Sequence, residues 1–233
     1  MIINPIASGS SGNCYLVSDG RTSLLLDAGI SIKRIRRALR FGLSSIDACL
    51  ITHEHGDHVL AAKDLLRCAV PVYASAGTTR AAGLSGSFLH VVADQQTVPI
   101  GTMLVTPFDA QHDAAEPLGF YITARDTREK LLYLTDSYYT KYSFPGVTHM
   151  IIECNYSEEK LRENVRDGIL PADRVPRLAH SHMSLETLLD LLRSNDLSSL
   201  RQIWLCHLSN DNSSADDFRR QVRQATGTEV YIC

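Results

Sequence analysis

Apolar residues along this chain fall into short runs, many of them β-branched or aromatic, each closed by Gly, Pro, Asp or Ser. The runs 13–18, 22–27, 47–52, 70–74, 88–92, 102–108, 119–124, 131–135, 148–153, 201–206 and 228–232 read as strands. Between them, apolar positions repeat with the helical period over 31–41, opened by Ser31 and closed by Gly42, and over 58–68, 157–167, 184–195 and 214–226. Leu185, Leu188, Leu189 and Leu192 stand at i, i+3, i+4 and i+7, which is one face of a helix and predicts core. Strands in clusters, interrupted by helices that each bury one stripe, predict a layered α/β fold with stacked sheets and helices outside. No Pro- or Ser-rich linker interrupts the pattern, so residues 1–233 are expected to form a single domain.

Composition narrows the class. With 44% hydrophobic and 21% charged residues the chain can bury one sizeable core, which sets it apart from disordered and collagen-like sequences. Lys and Arg number 23 against 26 Asp and Glu, a formal charge of −3, which argues against a sequence-blind grip on long nucleic acid while allowing a local basic groove. The start, Met1-Ile2-Ile3-Asn4-Pro5, lacks the basic and apolar regions of a signal peptide, and no apolar stretch reaches membrane-span length. A soluble cytoplasmic protein with no membrane partner is expected. Cys14, Cys49, Cys68, Cys154, Cys206 and Cys233 form no C-x-x-C pair and mostly sit in apolar runs, as buried reduced thiols do.

The chemistry concentrates in Leu50-Ile51-Thr52-His53-Glu54-His55-Gly56-Asp57-His58, where three imidazoles and a carboxylate follow a predicted strand. Such ligands suit zinc, manganese or iron, and a loop lets alternate residues converge where a helix would splay them. Residues 8–13, Ser-Gly-Ser-Ser-Gly-Asn, form a small-residue loop without the lysine of a phosphate-binding P-loop.

His53-x-His55-x-Asp57-His58 resembles the signature of the metallo-β-lactamase superfamily, and the likeness extends along most of the chain. The family's structural Asp at the end of an early strand looks like Asp27, its later His like His112, its bridging Asp like Asp136 and its final His like His207. The resemblance implies a four-layer αββα sandwich with two divalent ions, zinc as the expected ion and manganese as the alternative. It implies that His53, His55 and His112 hold the first metal and Asp57, His58 and His207 the second, with Asp136 bridging. A pair of ions sharing a hydroxide suits phosphodiester hydrolysis, with Asp57 aiming the water. An Asp at the bridging place, where β-lactamases of this superfamily commonly have Cys, favours a phosphodiesterase.

In ribonuclease Z-like members a Glu after a strand pairs with a His that serves as proton donor, and Glu153 and His182 resemble that pair, with His180 as a substitute. His90 and His149 read as structural. The chain is similar both to the YycJ (WalJ) branch of DNA exonucleases and to compact phage anti-Pycsar phosphodiesterases, which open cyclic mononucleotides. The Glu153-Cys154-Asn155-Tyr156 segment and the acidic balance lean toward the second, so a 3′,5′-cyclic mononucleotide is the expected substrate and degradation of such a signal, as in evasion of antiviral defence, the expected role. DNA is the alternative ligand, and thioester or lactone hydrolysis on the same fold a further one. The branch implies a homodimer. Arg34, Arg36, Arg37 and Arg40 form a local basic cluster, read first as a solvated helix face and second as a phosphate-contacting patch. Tyr138, Tyr139 and Tyr142 are read first as buried packing and second as a base-stacking group.

Overall fold

The structure, a computed structural model, describes residues 1–233 and divides into two compact units: Met1–Asp109 with Ala114–Glu129, and Ala110–Asp113 with Lys130–Cys233. The first unit runs β1 (Ile2–Ala7), β2 (Cys14–Ser18), β3 (Ser23–Leu26), α1 (Ile32–Ala38), β4 (Ala48–Leu50), α2 (Gly56–Val59), α3 (Ala62–Arg67), β5 (Val72–Ala74), α4 (Ala76–Ala81), β6 (Leu89–Val91), β7 (Val98–Ile100), β8 (Met103–Asp109) and β9 (Leu118–Ala124). Strands β1 to β6 lie side by side in chain order, antiparallel through β3 and parallel from β3 to β6. Strands β7, β8 and β9 form an antiparallel meander. The second unit contains β10 (Lys130–Leu134), β11 (His149–Glu153), α5 (Glu158–Arg166), α6 (Val175–Ala179), α7 (Leu185–Ser194), β12 (Gln202–Cys206), α8 (Ala215–Thr226) and β13 (Glu229–Ile232), its four strands all parallel.

The parallel strands are the ones whose sequences are apolar without alternation. All of β11 and four of the five residues of β10 are buried, as expected of strands covered on both faces. The leucine stripe of α7 is core as its spacing predicts, each of the four side chains being buried. Each contributes about 1.5–3 kcal/mol of apolar transfer. Ser75, Ser157 and Ser184 cap α4, α5 and α7 by accepting from the backbone N–H three residues on, which contributes about 1 kcal/mol per cap.

Four elements escape the periodicity. Strand β1 holds Pro5 and mixes apolar with polar residues; it tolerates the proline because it is an edge strand, paired only with β2, and its register shifts just after Pro5. Strand β7 and helices α4 and α6 are too short for a period to emerge. The single helix expected over 58–68 is two, Gly56–Val59 and Ala62–Arg67, because Leu60 and Ala61 turn the chain after His58. The reading of all six cysteines as buried holds for Cys14, Cys49, Cys154 and Cys206, whereas Cys233 is half-buried and Cys68 is exposed after α3, where Arg36 donates to its sulfur at 3.1 Å. His149 is buried with its Nδ1 2.8 Å from the Thr148 hydroxyl, and His90 stacks on Tyr73.

Candidate metal centre

Chemistry in each unit gathers where parallel strands end, the general place for ligands in such sheets. In the first unit β3 and β4 are in register, Leu26 beside Leu50, so the residues that follow them emerge together. Asp27 follows β3 and is fully buried. Its carboxylate accepts from the Thr52 N–H at 2.8 Å and the Thr52 hydroxyl at 3.0 Å, and lies 2.8 Å from His58 Nδ1. A carboxylate on Nδ1 fixes the ring and turns Nε2 toward the other donors, the arrangement usual behind metal-binding histidines. Asp57 lies beside it, Oδ2 3.5 Å from His58 Nε2. His53 is buried, with its Nδ1 3.1 Å from the Thr52 hydroxyl and its Nε2 3.1 Å from His55 Nδ1. The motif therefore forms one cluster of nitrogen and oxygen donors.

Asn13, a residue the sequence reading left without a role, clamps this loop. Its N–H donates to the Asp57 carbonyl at 2.8 Å, its carbonyl accepts from Gly29 at 2.8 Å, and its amide nitrogen lies 3.1 Å from His58 Nε2. Gly29 is packed so closely that an added Cβ would stand 1.6 Å from the Asp57 carbonyl oxygen. Gly12 is similarly pressed against Gly29, at φ +136°. The small-residue loop thus fits the back of the donor loop, which explains its Gly and Asn content better than any phosphate-binding role. Sequence spacing could not reveal this, since 44 residues separate Asn13 from Asp57.

In the second unit the pairings Leu134 with Ile152 and Glu153 with Cys206 bring three strand ends level. Asp136, Glu153 and His207 project there, all buried, and His182 arrives from the turn before α7. Ligand atoms of these four residues lie within 4.8 Å of one another. Glu153 Oε1 is 2.7 Å from His182 Nδ1 and 3.1 Å from His207 Nδ1, while its Oε2 accepts from the N–H groups of Ser137 and Met183 at 3.0 and 3.1 Å. Asp136 Oδ1 lies 3.1 Å from His182 Nδ1. The Asn155 amide nitrogen is 3.1 Å from His207 Nδ1 and donates to the His207 carbonyl, a positioning contact that spacing did not announce.

Electrostatics follow this geometry. Burial opposes charge on His182, but the Glu153 charge and hydrogen bonds to Asp136 and Glu153 outweigh it and push the imidazole up to about 10. Burial likewise works against the Glu153 carboxylate, yet the His182 charge and the two histidine hydrogen bonds hold it below the usual range. His112 is lowered, chiefly by burial, and its Nδ1 lies 2.9 Å from the Ser181 carbonyl, which leaves Nε2 as its ligand atom. His180 sits apart: it is exposed, with Nδ1 2.7 Å from the Pro176 carbonyl at the end of α6. Asp27, Asp136 and His207 all adopt left-handed backbone, φ +57°, +46° and +53°. Non-glycine residues seldom do so, and the conformation turns each side chain off its strand end into the cluster.

The tyrosines do not pack as expected. Tyr139 is 53% exposed and Tyr138 and Tyr142 are half-buried. Tyr139, Lys141 and Tyr142 line a cavity of about 500 Å³ that also touches Met183 and Thr187.

A family model described as "Beta-lactamase superfamily domain" matches residues 22–207. The chain is 31% identical over 236 residues to the exodeoxyribonuclease YycJ of Bacillus anthracis, covering 94% of this chain and 86% of that protein. It is 30% identical to the exodeoxyribonuclease WalJ of Streptococcus pneumoniae serotype 2, covering 89% and 81%. Among solved structures it superposes on the metallo-beta-lactamase fold protein YhfI from Bacillus subtilis with a TM-score of 0.73 at 18% identity, covering 99% of this chain and 95% of that one. The fold is therefore the metallo-β-lactamase fold that the histidine motif implied.

Proposed function

The chain belongs to the beta-lactamase superfamily, and from that membership we propose that it is a metal-dependent phosphodiesterase that removes nucleotides from the ends of DNA. The observation that carries the reaction class is the buried Glu153 holding His182 at 2.7 Å beside Asp136. An alkoxide leaving group needs a proton, and a histidine held by a buried carboxylate can supply it. Thioester hydrolysis, whose thiolate departs without protonation, has less need of such a donor. DNA takes precedence over the cyclic mononucleotide expected from sequence because the two exodeoxyribonucleases align over nine-tenths of the chain.

In this reading His53, His55 and His112 would hold one divalent ion and Asp57, His58 and His207 a second, with Asp136 as a further donor. The donor set fits: imidazole nitrogens and carboxylate oxygens suit zinc or manganese, and Asp27 and the Ser181 carbonyl fix two of the rings for ligation. When bound, the ions supply the Lewis acidity that activates water and neutralises charge on the phosphoryl oxygens. Asp57 accepts a hydrogen bond from the attacking water and sets its direction. Glu153 occupies His182 Nδ1, so the mobile proton sits on Nε2 and passes to the leaving oxygen as the P–O bond breaks. The family match runs from Thr22 to His207, through both units, which supports reading them as halves of one catalytic domain.

The cavity beside Met183 supports a second reading, a 3′,5′-cyclic mononucleotide whose base lies against Tyr139 and Tyr142. One experiment separates the two. Protein loaded separately with zinc and manganese is given 5′-phosphorylated duplex DNA, 3′,5′-cyclic mononucleotides and bis(p-nitrophenyl) phosphate, with Asp57→Ala as the blank. Release of mononucleotides from DNA is expected. Ring opening without DNA degradation would replace the first reading by the second, and turnover of none of the three with either ion would overturn both.

A further inference from the structure

Helix α1 differs electrically from the other helices of this protein. Lys33, Arg34, Arg36, Arg37 and Arg40 all project from α1 and its C-terminal turn, all exposed, and no acidic residue occurs between Ala28 and Ile46. The rest of the chain carries the remaining 18 Lys and Arg against all 26 Asp and Glu, so taken together it is acidic, at 18 − 26 = −8.

On four other helices an arginine sits next to a carboxylate. Arg67 pairs with Asp64 on α3, Arg162 with Glu158 on α5, Arg193 with Asp190 on α7, and Arg219 with Asp216 on α8. On α1 no carboxylate reaches a cation; the one polar contact is Arg36 with the Cys68 sulfur. Lys33 and Arg37 stand at i and i+4 on α1, where like charges repel and weaken a helix. Paired surface cations need no partner outside the molecule. Five unpaired ones crowded on two turns concentrate positive charge that within this protein only water and small ions screen, the electrostatic footprint a polyanion can neutralise.

An aromatic ring joins them. Phe41, 78% exposed, stands directly after Arg40, and both residues are in left-handed backbone, φ +49° for Arg40 and +65° for Phe41. Aromatic rings interleaved with cations suit nucleic acid, where phosphates meet the charges and a base meets the ring.

The helix is also tied to the donor loop of its own unit. Ala28 donates to the His58 carbonyl at 2.8 Å and its own carbonyl accepts from Ala61 at 2.8 Å. Four residues then lead to Ile32, a reach of about 14 Å at most.

We infer that α1 with Phe41 is a DNA-binding ridge that holds the substrate strand beyond the cleaved nucleotide; this rests on the DNA reading above. Seven residues of helix span about 10 Å, which matches about three successive phosphates of one strand.

The test is binding of duplex DNA with a short 5′-phosphorylated overhang across a salt series, using the metal-loaded full chain. The comparison variants are Lys33→Gln/Arg36→Gln/Arg37→Gln/Arg40→Gln and Phe41→Ala. Glutamine relieves the repulsion and keeps helix propensity, and circular dichroism melting checks that the variants fold. The quadruple variant should weaken binding by more than tenfold at low salt and flatten the slope of log affinity against log salt by about 3. Phe41→Ala should weaken binding by about tenfold with the slope retained. Both should hydrolyse bis(p-nitrophenyl) phosphate within about twofold of the parent, since neither touches the donor clusters.

An unchanged slope in a parent that does degrade DNA overturns the ridge and leaves the proposed function standing. Binding that depends on α1 in a protein that never cleaves DNA overturns the function and keeps the ridge. A parent that binds no DNA overturns the ridge. So does retention of DNA binding by the quadruple variant together with loss of binding to phosphatidylserine vesicles, an outcome that would assign α1 to a membrane surface.

Discussion

The two donor clusters are built in opposite ways. In the first unit, His53, His55, Asp57 and His58 lie within six consecutive residues, and one buried carboxylate, Asp27, positions them from behind. In the second, Asp136, Glu153, His182 and His207 are spread over 72 residues and meet because parallel strands end level. The first cluster depends on a loop conformation and the second on sheet register. Damage to the first should therefore come from crowding or unpinning the loop, and damage to the second from losing individual side chains that leave the sheet intact.

Asp57→Ala tests the proposed reaction most directly, because in that reading the carboxylate would both offer a metal ligand and aim the water. We expect kcat for bis(p-nitrophenyl) phosphate to fall by about 10⁴-fold with the melting temperature nearly unchanged. Activity within tenfold of the parent would remove Asp57 from the reaction.

His182→Ala asks the same of the second cluster. It should cost about 10²–10³-fold in the rate of alkyl phosphodiester cleavage, and much less for a nitrophenyl leaving group that departs without protonation. His180→Ala, altering an exposed ring at the end of α6, should stay within about twofold. Equal effects of the two would break the assignment of His182 as donor.

Gly29→Ala tests the loop-borne character of the first cluster. Its Cβ would meet the Asp57 carbonyl, so a loss of about 3 kcal/mol in denaturant unfolding is expected together with weaker metal binding by calorimetry. Gly56→Ala, where a Cβ meets nothing within 4 Å, is the control and should be close to neutral. Asn13→Ala should fall between them, at about 1–3 kcal/mol, for the hydrogen bonds lost around the loop.

The smallest effect lies at Asp19, in the turn between β2 and β3. Burial works slightly against the Asp19 carboxylate, but hydrogen bonds from the Thr102 hydroxyl and the N–H groups of Thr22 and Arg21 hold it below the usual range. A carboxyl lowered on folding stabilises the protein above its unfolded value and loses that contribution as pH falls through the folded one. Asp19→Asn should thus narrow the melting-temperature gap to the parent on acidification below about pH 4, by a few degrees at most, since the group is largely solvated. No change in the gap would remove the link.

Much of the fold was legible because burial leaves a periodic trace. Strands β10 to β13 and the leucine face of α7 carry long enough patterns to be seen, whereas β1, β7, α4 and α6 are short or interrupted by proline. The His53–His58 string was equally legible, since the residues that cluster there are neighbours in the chain. Glu153 and His182 could be paired only through family resemblance, because nothing local links residues 29 apart. Tyr139, exposed, and Tyr142, half-buried, ran against the packing reading because aromatic composition does not say whether a ring faces the core or lines a cavity.

The sequence by itself determined the kind of donors, the runs that become strands and the concentration of positive charge on one helix, all of which are properties of residue type and spacing. Only the tertiary structure decided that Asn13 and Gly29 brace the donor loop, that Asp27, Asp136 and His207 turn off their strands in left-handed backbone, and that one buried glutamate serves two histidines. Those facts depend on which strand ends come level and how closely two backbones approach, and such distances are set by the packing of the whole sheet rather than by any segment of it.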